Sequence, residues 1–197
     1  MENLNTLKKF WNKKKVFITG HTGFKGTWLC IVLKYLNSNI HGYSLKPEKK
    51  SLFNQSKIKK DLSANTFGNI NDIAKLKATI KVIKPEIIIH MAAQPLVIES
   101  YKNPLETFNT NIIGTTNLLE SIRDVKSVKS VIIITTDKVY KINKKNKSYK
   151  ELDQLGGFDP YSTSKVGAEI IVDSYIKSFF KNTKLNNKIS TVRAGNV

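Results

Sequence analysis

The chain has 197 residues, of which 40% are hydrophobic and 24% are charged, so it has the composition of one globular domain and not of a disordered or fibrous chain. Its 33 lysines and arginines outnumber its 15 acidic residues and give a formal net charge of +18. Such a charge is typical of nucleic-acid-binding proteins, but only Arg123 and Arg193 are arginines, and the lysines are spread over the whole chain. Base recognition depends heavily on arginine, so we expect no nucleic-acid partner.

The first 14 residues form a polar, basic segment with a short predicted helix, and they precede the predicted domain at 15–197. This segment lacks the apolar core of a signal peptide, and no later run reaches the ~18 apolar residues that a membrane span needs. We therefore expect a cytoplasmic protein without a membrane partner. The single cysteine, Cys30, falls on a predicted helix and is expected to be a buried, unreactive thiol.

A β-type run at 16–19 opens the domain and breaks into three glycines, Gly20, Gly23 and Gly26. In a dinucleotide-binding turn the first glycine takes the tight turn, the second lets backbone approach a pyrophosphate, and the third lets the next helix pack against the strand. The helix that begins there points unpaired N–H groups at the same place. The turn therefore predicts a dinucleotide site, and a ligand-free strand-to-helix turn is the alternative.

The second strand, at 40–45, completes a strand–helix–strand unit but carries no acidic side chain at its end. NAD-binding folds usually have such an acid there to hold the ribose hydroxyls. Here Ser44 is placed to bond a ribose hydroxyl, and Lys46 is placed to meet the 2′-phosphate of NADP. The residues thus leave both NAD and NADP open as cofactors.

The rest of the chain alternates strands and helices, with strands predicted at 65–70, 86–93, 130–135 and 188–193 and helices at about 71–83, 104–124 and 161–180. This alternation predicts an α/β fold with a doubly wound parallel sheet, a Rossmann fold, of strand order 3-2-1-4-5-6. Ala92 and Ala93 end the fourth strand with small side chains that let backbone lie against a cofactor, whereas His90 is expected to be a hydrogen-bonded core residue. The helix after Pro104 is predicted to bury Phe108, Ile112, Ile113, Leu118, Leu119 and Ile122.

Tyr161 and Lys165 lie four residues apart at the start of a predicted helix, so their side chains emerge on one face. A nearby ammonium stabilises a phenolate and lowers the phenol pKa from its usual value near ~10. Such a pair takes the proton from an alcohol hydroxyl while a nicotinamide accepts hydride from the same carbon. An ordinary surface pair is the alternative, but the glycine turn upstream favours the catalytic interpretation.

Several segments together resemble the extended short-chain dehydrogenase/reductase family, and within it the CDP-glucose 4,6-dehydratases. These segments are TGHTGFKG at 19–26, HMAAQPLV at 90–97, TFNTNIIGTTNLLE at 107–120, TDK at 136–138, GGFDPYSTSK at 156–165 and RAGNV at 193–197. The combination of HTGFKG with TDK is the specific feature, because most nucleotide-sugar dehydratases have a glutamate where this chain has Lys138. The resemblance runs through nearly the whole chain.

The resemblance implies that CDP-glucose loses water and becomes CDP-4-keto-6-deoxyglucose, with NAD reduced and then reoxidised. In this scheme Tyr161 removes the proton of the C4 hydroxyl, Lys165 tunes Tyr161, and Thr136 holds the hydroxyl. Lys138 is the implied base at C5, and Asp137 is the implied acid at the departing C6 hydroxyl. A loop ion pair between Asp137 and Lys138 is the alternative.

The resemblance also implies which residues contact the ligands, and it implies no metal. The implied substrate contacts are Gln94, Thr136 and Asn196. The implied cofactor contacts are Gly20, Thr22, Gly23, Phe24, Lys25, Gly26, Ser44, Asn69, Ile70, Ala92, Ala93, Gln94, Asn111, Thr135, Tyr161 and Lys165.

Two departures from the family pattern qualify this assignment. Asn69 stands where relatives commonly have an aspartate that touches the adenine. Relatives are also much longer, and their C-terminal part closes over the nucleotide-sugar, so we expect the NAD-binding and catalytic portion only.

The alternatives are another family member, such as a nucleotide-sugar epimerase, and a non-catalytic dinucleotide-binding module. Relatives pair through helices at 104–124 and 159–181, which implies a homodimer.

Overall fold

A parallel β-sheet forms the centre of the protein in the computed structural model, which describes residues 3–142, 148–185 and 188–195. The strands are β1 (Lys15–Thr19), β2 (Asn39–Ser44), β3 (Ala64–Phe67), β4 (Ile87–His90), β5 (Ser130–Thr136) and β6 (Ile189–Ala194). Within the described residues these six strands pair in the order β3-β2-β1-β4-β5-β6, and every pairing is parallel. The predicted Rossmann-type sheet and its strand order are thereby confirmed.

Helices connect the strands and cover both faces of the sheet. They are α1 (Leu4–Trp11), α2 (Phe24–Tyr35), α3 (Leu52–Gln55), α4 (Ile73–Ile83), α5 (Val97–Lys102), α6 (Pro104–Phe108), α7 (Gly114–Ile122) and α8 (Pro160–Tyr175). Short 3₁₀ turns lie at Ile58–Asp61 and Asp137–Val139, and wide π turns lie at Asn109–Ile113 and Ile176–Phe180. The segment from α6 to α7 therefore runs as one helix that is interrupted by a wide turn.

Local sequence signals set the helix ends. Asp72 precedes α4 and accepts the backbone N–H of Lys75 at 3.0 Å, so it supplies one of the partners that a helix start lacks. At the other end Lys84 adopts a left-handed conformation with φ 50°, and Pro85 follows it. The sequence prediction of this helix is confirmed.

Alternate residues of the central strands face two separate cores. Phe17 belongs to the core beneath α4, α7 and α8, whereas its neighbours Val16 and Ile18 belong to the core beneath α2 and α3. Strand β4 is buried along its whole length, as expected for a parallel strand that is covered on both faces. Since the two faces are occupied, the carboxyl edge of the sheet is the place where a ligand can approach the strands.

The N-terminal segment contains the predicted short helix, α1, and it is joined to the domain by backbone contacts. Ser38 donates its hydroxyl to the carbonyl of Trp11 at 2.9 Å, and the N–H of Lys13 donates to the carbonyl of Asn37 at 2.8 Å.

Cys30 is buried as predicted, and burial raises the pKa of its thiol to about 12. Among the described residues, every helix is too short or too polar to cross a membrane.

Three features of the helices differ from the sequence prediction. Helix α5 lies in a stretch for which no helix is predicted. Ile113 is predicted to be buried but is 48% exposed, because the wide turn at Asn109–Ile113 adds a residue and shifts the side chains around the axis. On α2, Trp28 and Val32 fit the helical period, yet both side chains are about half exposed. Helical spacing thus predicts the helix better than it predicts which face is covered.

Candidate active site

A cleft of ≈ 750 Å³ lies at the carboxyl edge of the sheet. It opens where β1 has β2 on one side and β4 on the other, the point at which the chain reverses direction across the sheet. Most of the predicted contact residues line this cleft. They are Gly20, Thr22, Gly23, Phe24, Lys25, Gly26, Ser44, Asn69, Ile70, Ala92, Ala93, Thr135, Tyr161 and Lys165.

The three glycines of the turn differ in whether the surrounding protein leaves space for a side chain at their positions. Gly20 has φ 77°, and a Cβ there would lie 2.6 Å from the backbone nitrogen of Ala92. A Cβ at Gly26 would overlap the carbonyl oxygen of Gly20 and lie 2.8 Å from the Cα of His21. At Gly23, however, the Cβ would meet one atom within 4 Å, the carbonyl oxygen of Gly20 at 3.4 Å, which is an ordinary contact. Packing therefore explains Gly20 and Gly26, whereas the space over Gly23 is free for a ligand.

The start of α2 gives this free space the chemistry of an anion site. Gly23 is the N-cap residue and supplies no side-chain cap, so the first N–H groups of the helix have no partner within the helix. These groups and the helix dipole favour a phosphate over the turn. Lys25 lies in the same turn, and its Nζ donates to the carbonyl of Gly195 at the end of β6, at 3.3 Å. The residues present therefore fit the pyrophosphate of a dinucleotide.

The wall at the end of β2 is built from hydroxyl groups and one acid. The hydroxyl oxygens of Thr22 and Ser44 lie 2.8 Å apart, and Thr22 donates to the carbonyl of Leu45 at 3.1 Å. Glu48 also lines the cleft here. Glu48 was not predicted from the sequence, because it lies four residues beyond the end of β2 and an acid that binds the ribose usually ends the strand itself.

Tyr161 and Lys165 share one face of α8, as predicted, and both line the cleft. The helix begins at Pro160 and is capped by Asp159, which accepts the N–H of Ser162 at 3.0 Å while the Ser162 hydroxyl accepts the N–H of Asp159 at 3.1 Å. Only 9% of Tyr161 and 8% of Lys165 is exposed, and Lys165 Nζ donates to the carbonyl of Ile134 at 3.4 Å. The cap and the buried setting fix where the phenol and the ammonium can lie.

The expected lowering of the Tyr161 pKa is not found. Burial raises the pKa of the phenol, the charges of Asp137 and Asp159 raise it further, and a hydrogen bond with Thr136 opposes this increase. Burial also lowers the pKa of Lys165 to about 8, with a smaller contribution from the charge of Lys25. The spacing of the two residues indicates the attraction between ammonium and phenolate but not the cost of burying both charges.

Thr136, at the end of β5, and the next two residues, Asp137 and Lys138, do not belong to the residues that line the cleft, whereas Thr135 does. Thr136 donates its hydroxyl to Asp137 Oδ1 at 3.1 Å and accepts the backbone N–H of Lys138 at 3.4 Å. Lys138 Nζ lies 3.7 Å from Asp137 Oδ1, and both side chains are substantially exposed. The loop ion pair that the sequence offered as the alternative is therefore present.

Gln94 and Asn111 shape the wall after β4 from behind and do not line the cleft. Asn111 is buried, and it accepts the N–H of Gln94 at 2.9 Å and donates to the hydroxyl of Ser164 at 2.8 Å. Gln94 Nε2 donates to the hydroxyl of Thr107 at 2.8 Å. The polar atoms of both side chains are thus bonded to protein. Asn196, the third predicted substrate contact, lies outside the described residues.

A buried ion pair that the sequence analysis missed holds α8 against the ends of β5 and β6. Glu169 accepts from Arg193 through both oxygens, at 2.6 Å from Nη2 and 3.0 Å from Nε, and it accepts the Thr135 hydroxyl at 2.7 Å. The hydrogen bonds to Glu169 raise the pKa of Arg193. Glu169 lies four residues after Lys165 on the same helix face, but its partners are distant in the sequence, so no local signal indicates this pair. The pair fixes the helix of Tyr161 and Lys165 relative to the strand that ends at Thr136.

His90 is the hydrogen-bonded core residue that the sequence predicts. Its Nδ1 lies 2.6 Å from the hydroxyl of Thr19, and its Nε2 lies 3.1 Å from the hydroxyl of Thr115. Thr19 also accepts the N–H groups of Met91 and Ala92, each at 3.2 Å. The histidine thereby helps to place the backbone that forms the floor of the cleft after β4.

The protein is expected to lose about 2 kcal/mol of unfolding free energy between pH 7 and pH 5 through His90. Burial, and secondarily the charge of Lys165, lowers the pKa of His90 from 6.5 to about 3. Because the unfolded chain then binds the proton more readily, stability present above pH 6.5 is lost as the pH falls toward 3. Urea unfolding at several pH values measures this slope.

A His90→Gln variant provides the comparison for this slope, since glutamine can bond both threonine hydroxyls but does not titrate. Between pH 7 and pH 5, the slope of the unfolding free energy against pH should be smaller for the variant than for the unmodified chain. The difference corresponds to about one bound proton. His21, whose pKa is also lowered by burial, contributes equally in both proteins. Identical slopes in the two proteins would contradict the assignment to His90.

Comparison with known proteins identifies relatives along the whole chain. A family profile described as GDP-mannose 4,6 dehydratase matches residues 17–196. The chain is 44% identical to the CDP-glucose 4,6-dehydratase of Salmonella typhimurium, with 96% of this chain and 54% of that protein covered. It is 36% identical to the dTDP-D-glucose 4,6-dehydratase of Dictyostelium discoideum, with 84% of this chain and 41% of that protein covered. The chain therefore spans about half the length of these relatives.

Solved structures share the fold at lower sequence identity. The UDP-glucose 4-epimerase of Brucella ovis, in complex with NAD, superposes with a TM-score of 0.76 at 22% identity, over 92% of this chain and 51% of the other. The UDP-glucose 4-epimerase of Thermotoga maritima with UDP-glucose gives a TM-score of 0.75 at 23% identity, over 90% of this chain and 54% of the other.

Proposed function

The chain belongs to the GDP-mannose 4,6-dehydratase family, and we propose that it is the cofactor-binding and catalytic portion of a CDP-glucose 4,6-dehydratase. The observation that carries this proposal is the placement of Tyr161 and Lys165 on one helix face, across a cleft from a glycine turn whose middle glycine is free of packing constraints. The 44% identity to a CDP-glucose 4,6-dehydratase supports the substrate and the reaction. The product is CDP-4-keto-6-deoxyglucose, and water is released.

A nicotinamide dinucleotide bound in the cleft would supply a reversible hydride acceptor, which the oxidation at C4 and the reduction at C6 of the glucose unit both need. The residues that would hold it are those of the glycine turn, the N–H groups at the start of α2, and the wall at the end of β2. The NAD complex of a structural neighbour supports this cofactor class.

Tyr161 takes the proton of the C4 hydroxyl as that carbon is oxidised. Its raised pKa keeps the phenol protonated at neutral pH, so Tyr161 first releases its own proton to solvent through the open cleft and then acts as a base on the C4 hydroxyl. Thr136, hydrogen-bonded to Tyr161, orients the C4 hydroxyl of the substrate and stabilises the negative charge that develops on its oxygen. Lys165, buried beneath the cleft, supplies the positive charge that offsets a phenolate.

Lys138 and Asp137 perform the elimination in this proposal. Oxidation at C4 acidifies the C5 proton, Lys138 removes that proton, and Asp137 protonates the C6 hydroxyl as it leaves. The two side chains face each other as an ion pair at 3.7 Å, and substrate must separate them for both to act. These roles require one proton to pass from the Lys138 ammonium to the Asp137 carboxylate, which is uphill for the exposed ion pair, so in this proposal the substrate must cover both side chains and remove them from water before the transfer.

Two copies of the chain are proposed to pair through the helices at 104–122 and 160–180. Leu105, Ile113, Ile170 and Phe179 lie on these helices with exposed apolar side chains.

The test is calorimetric titration of the chain with NAD, followed by incubation with NAD and CDP-glucose and detection of the 4-keto product by its absorbance in base. NAD binding with product formation supports the proposal. NAD binding without product supports the dinucleotide site but not turnover by this chain, the result for a non-catalytic module and also for a portion that needs the rest of its relatives' length to hold the nucleotide-sugar. The absence of NAD binding contradicts the proposed function altogether.

A further inference from the structure

A buried acid, Glu169, follows Lys165 by four residues on α8. We propose that Arg193 is a positioning residue, which binds Glu169 and thereby keeps the Lys165 ammonium free for the cleft. The proposal rests on the proposed function, because it concerns the lysine that acts with Tyr161. Arg193 thus does more than hold α8 in place, since it decides where the positive charge next to Tyr161 lies.

The Glu169 carboxylate needs a positively charged partner. Only 6% of the residue is exposed, and an unpaired carboxylate in such a place is strongly unfavourable. Arg193 approaches it from β6, and Lys165 is the cation of α8 itself, on the same helix face. Glu169 accepts the hydroxyl of Thr135 at 2.7 Å. Lys165 Nζ donates to the carbonyl of the preceding residue of β5, Ile134, at 3.4 Å. Both cations are therefore placed to compete for one carboxylate.

Arg193 wins this competition because its guanidinium is planar and carries several N–H groups. Its Nη2 donates to Glu169 Oε2 at 2.6 Å, and its Nε donates to Oε1 at 3.0 Å. The remaining nitrogen, Nη1, donates to the carbonyl of Glu151 at 3.0 Å, and the group lies 4.7 Å from the centroid of the Tyr140 ring. A guanidinium makes all these contacts at once, whereas an ammonium cannot. Both oxygens of Glu169 are thereby occupied.

Lys165 consequently keeps its charge at the cleft. Among the residues that the structure describes, its Nζ takes part in no ion pair. Its long hydrogen bond to the carbonyl of Ile134 leaves its other N–H groups for a ligand or for Tyr161. Burial and the charge of Lys25 lower the pKa of Lys165 to about 8. Without Arg193, the Glu169 carboxylate would attract this ammonium, draw it away from Tyr161 and raise its pKa.

The test measures the pKa of Lys165 by ¹³C NMR titration of a chain labelled at the ε-carbon of lysine. Its resonance is the one that is missing from a labelled Lys165→Arg chain. We expect it to titrate near pH 8 in the unmodified chain. In Arg193→Gln it should titrate at least about one pH unit higher, because the freed carboxylate stabilises the ammonium. In the double variant Arg193→Gln/Glu169→Gln, which lacks the carboxylate, it should titrate near pH 8 again.

The double variant separates this role from a merely structural one. A loosened α8 would expose Lys165 to water and raise its pKa in both variants, whether or not position 169 carries a charge. Lys25 of α2, Tyr161 of α8 and His90 of β4 also lie near this ammonium. They are the same in every variant, so their effects cancel from the comparison.

Arg123→Gln is the matched control. It removes the other arginine of the chain, whose exposed ion pair with Glu120, at 3.2 Å, lies outside the cleft, so the pKa of Lys165 should not change. Arg193→Lys keeps a cation but lacks the planar fork, and it replaces Arg193→Gln if thermal unfolding shows that chain to be unfolded. It should raise the pKa by a smaller amount, and its Glu169→Gln double variant should reverse the change.

An unchanged pKa of Lys165 in the folded Arg193 variant overturns the role of Arg193, as does a rise that persists in the double variant. The titration needs neither NAD nor CDP-glucose. Failure of NAD binding or of product formation therefore bears on the proposed function alone, and failure of the titration bears on Arg193 alone.

Discussion

Replacing Gly26 by alanine is expected to lower the unfolding free energy by about 3 kcal/mol, whereas the same replacement at Gly23 should change it by less than about 1 kcal/mol. At Gly26 the new methyl group would overlap the carbonyl oxygen of Gly20 and press on the backbone of His21, and neither can move without displacing the turn. At Gly23 the methyl group enters open space, and its backbone angles, φ −72° and ψ 169°, suit any residue.

Dinucleotide binding should respond to the Gly23 replacement even though stability does not. Because the open space over Gly23 is where the pyrophosphate is proposed to lie, Gly23→Ala should weaken NAD binding at least about tenfold in a chain that remains folded. Urea unfolding and calorimetric titration of both variants separate the two effects. A Gly23→Ala chain that binds NAD as tightly as the unmodified chain would show that the pyrophosphate does not lie over this turn.

The sequence alone predicts those parts of the fold in which the local residue pattern and the long-range packing favour the same secondary structure and the same buried face. The run at 86–93 reads as a strand buried on both faces, and β4 is buried along its length. The glycine turn and the Tyr161–Lys165 pair depend on fixed spacings within single elements, and both are found at one cleft. The strand order follows because a right-handed crossover with helices on both faces permits few alternatives.

The parts that sequence misses depend on contacts between distant segments. The partners of Glu169 are Thr135 and Arg193, 34 and 24 residues away, so no local pattern indicates that the acid is buried. Glu48 reaches the cleft because Phe53 anchors the following helix against the core. The raised pKa of Tyr161 reflects burial, which spacing along a helix does not report. A sequence pattern identifies which groups can react, and the tertiary structure sets their charge states.

Replacing Tyr161 by phenylalanine is expected to lower turnover of CDP-glucose by about 10²–10⁴-fold, the range for loss of a general acid–base group. Removal of one hydroxyl group leaves the ring that packs at the start of α8, so the unfolding free energy should change little and NAD should still bind. The hydrogen bond with Thr136 is lost, but Thr136 keeps its bond to Asp137. Product formation under saturating NAD and CDP-glucose measures the effect, and calorimetry measures NAD binding.

Tyr35→Phe is the matched control for this prediction. It removes the same hydroxyl group from an exposed tyrosine on α2 that does not line the cleft, so turnover should equal that of the unmodified chain. If Tyr161→Phe retains turnover within a few-fold of the unmodified chain, the base at C4 is another group. If Tyr161→Phe loses NAD binding as well, the tyrosine holds the cofactor in place, and its effect on turnover does not identify it as the base. A loss of turnover with NAD binding intact, together with an unaffected Tyr35→Phe, is the result that assigns the proton transfer to the phenol, because only the reacting hydroxyl group then distinguishes the two variants.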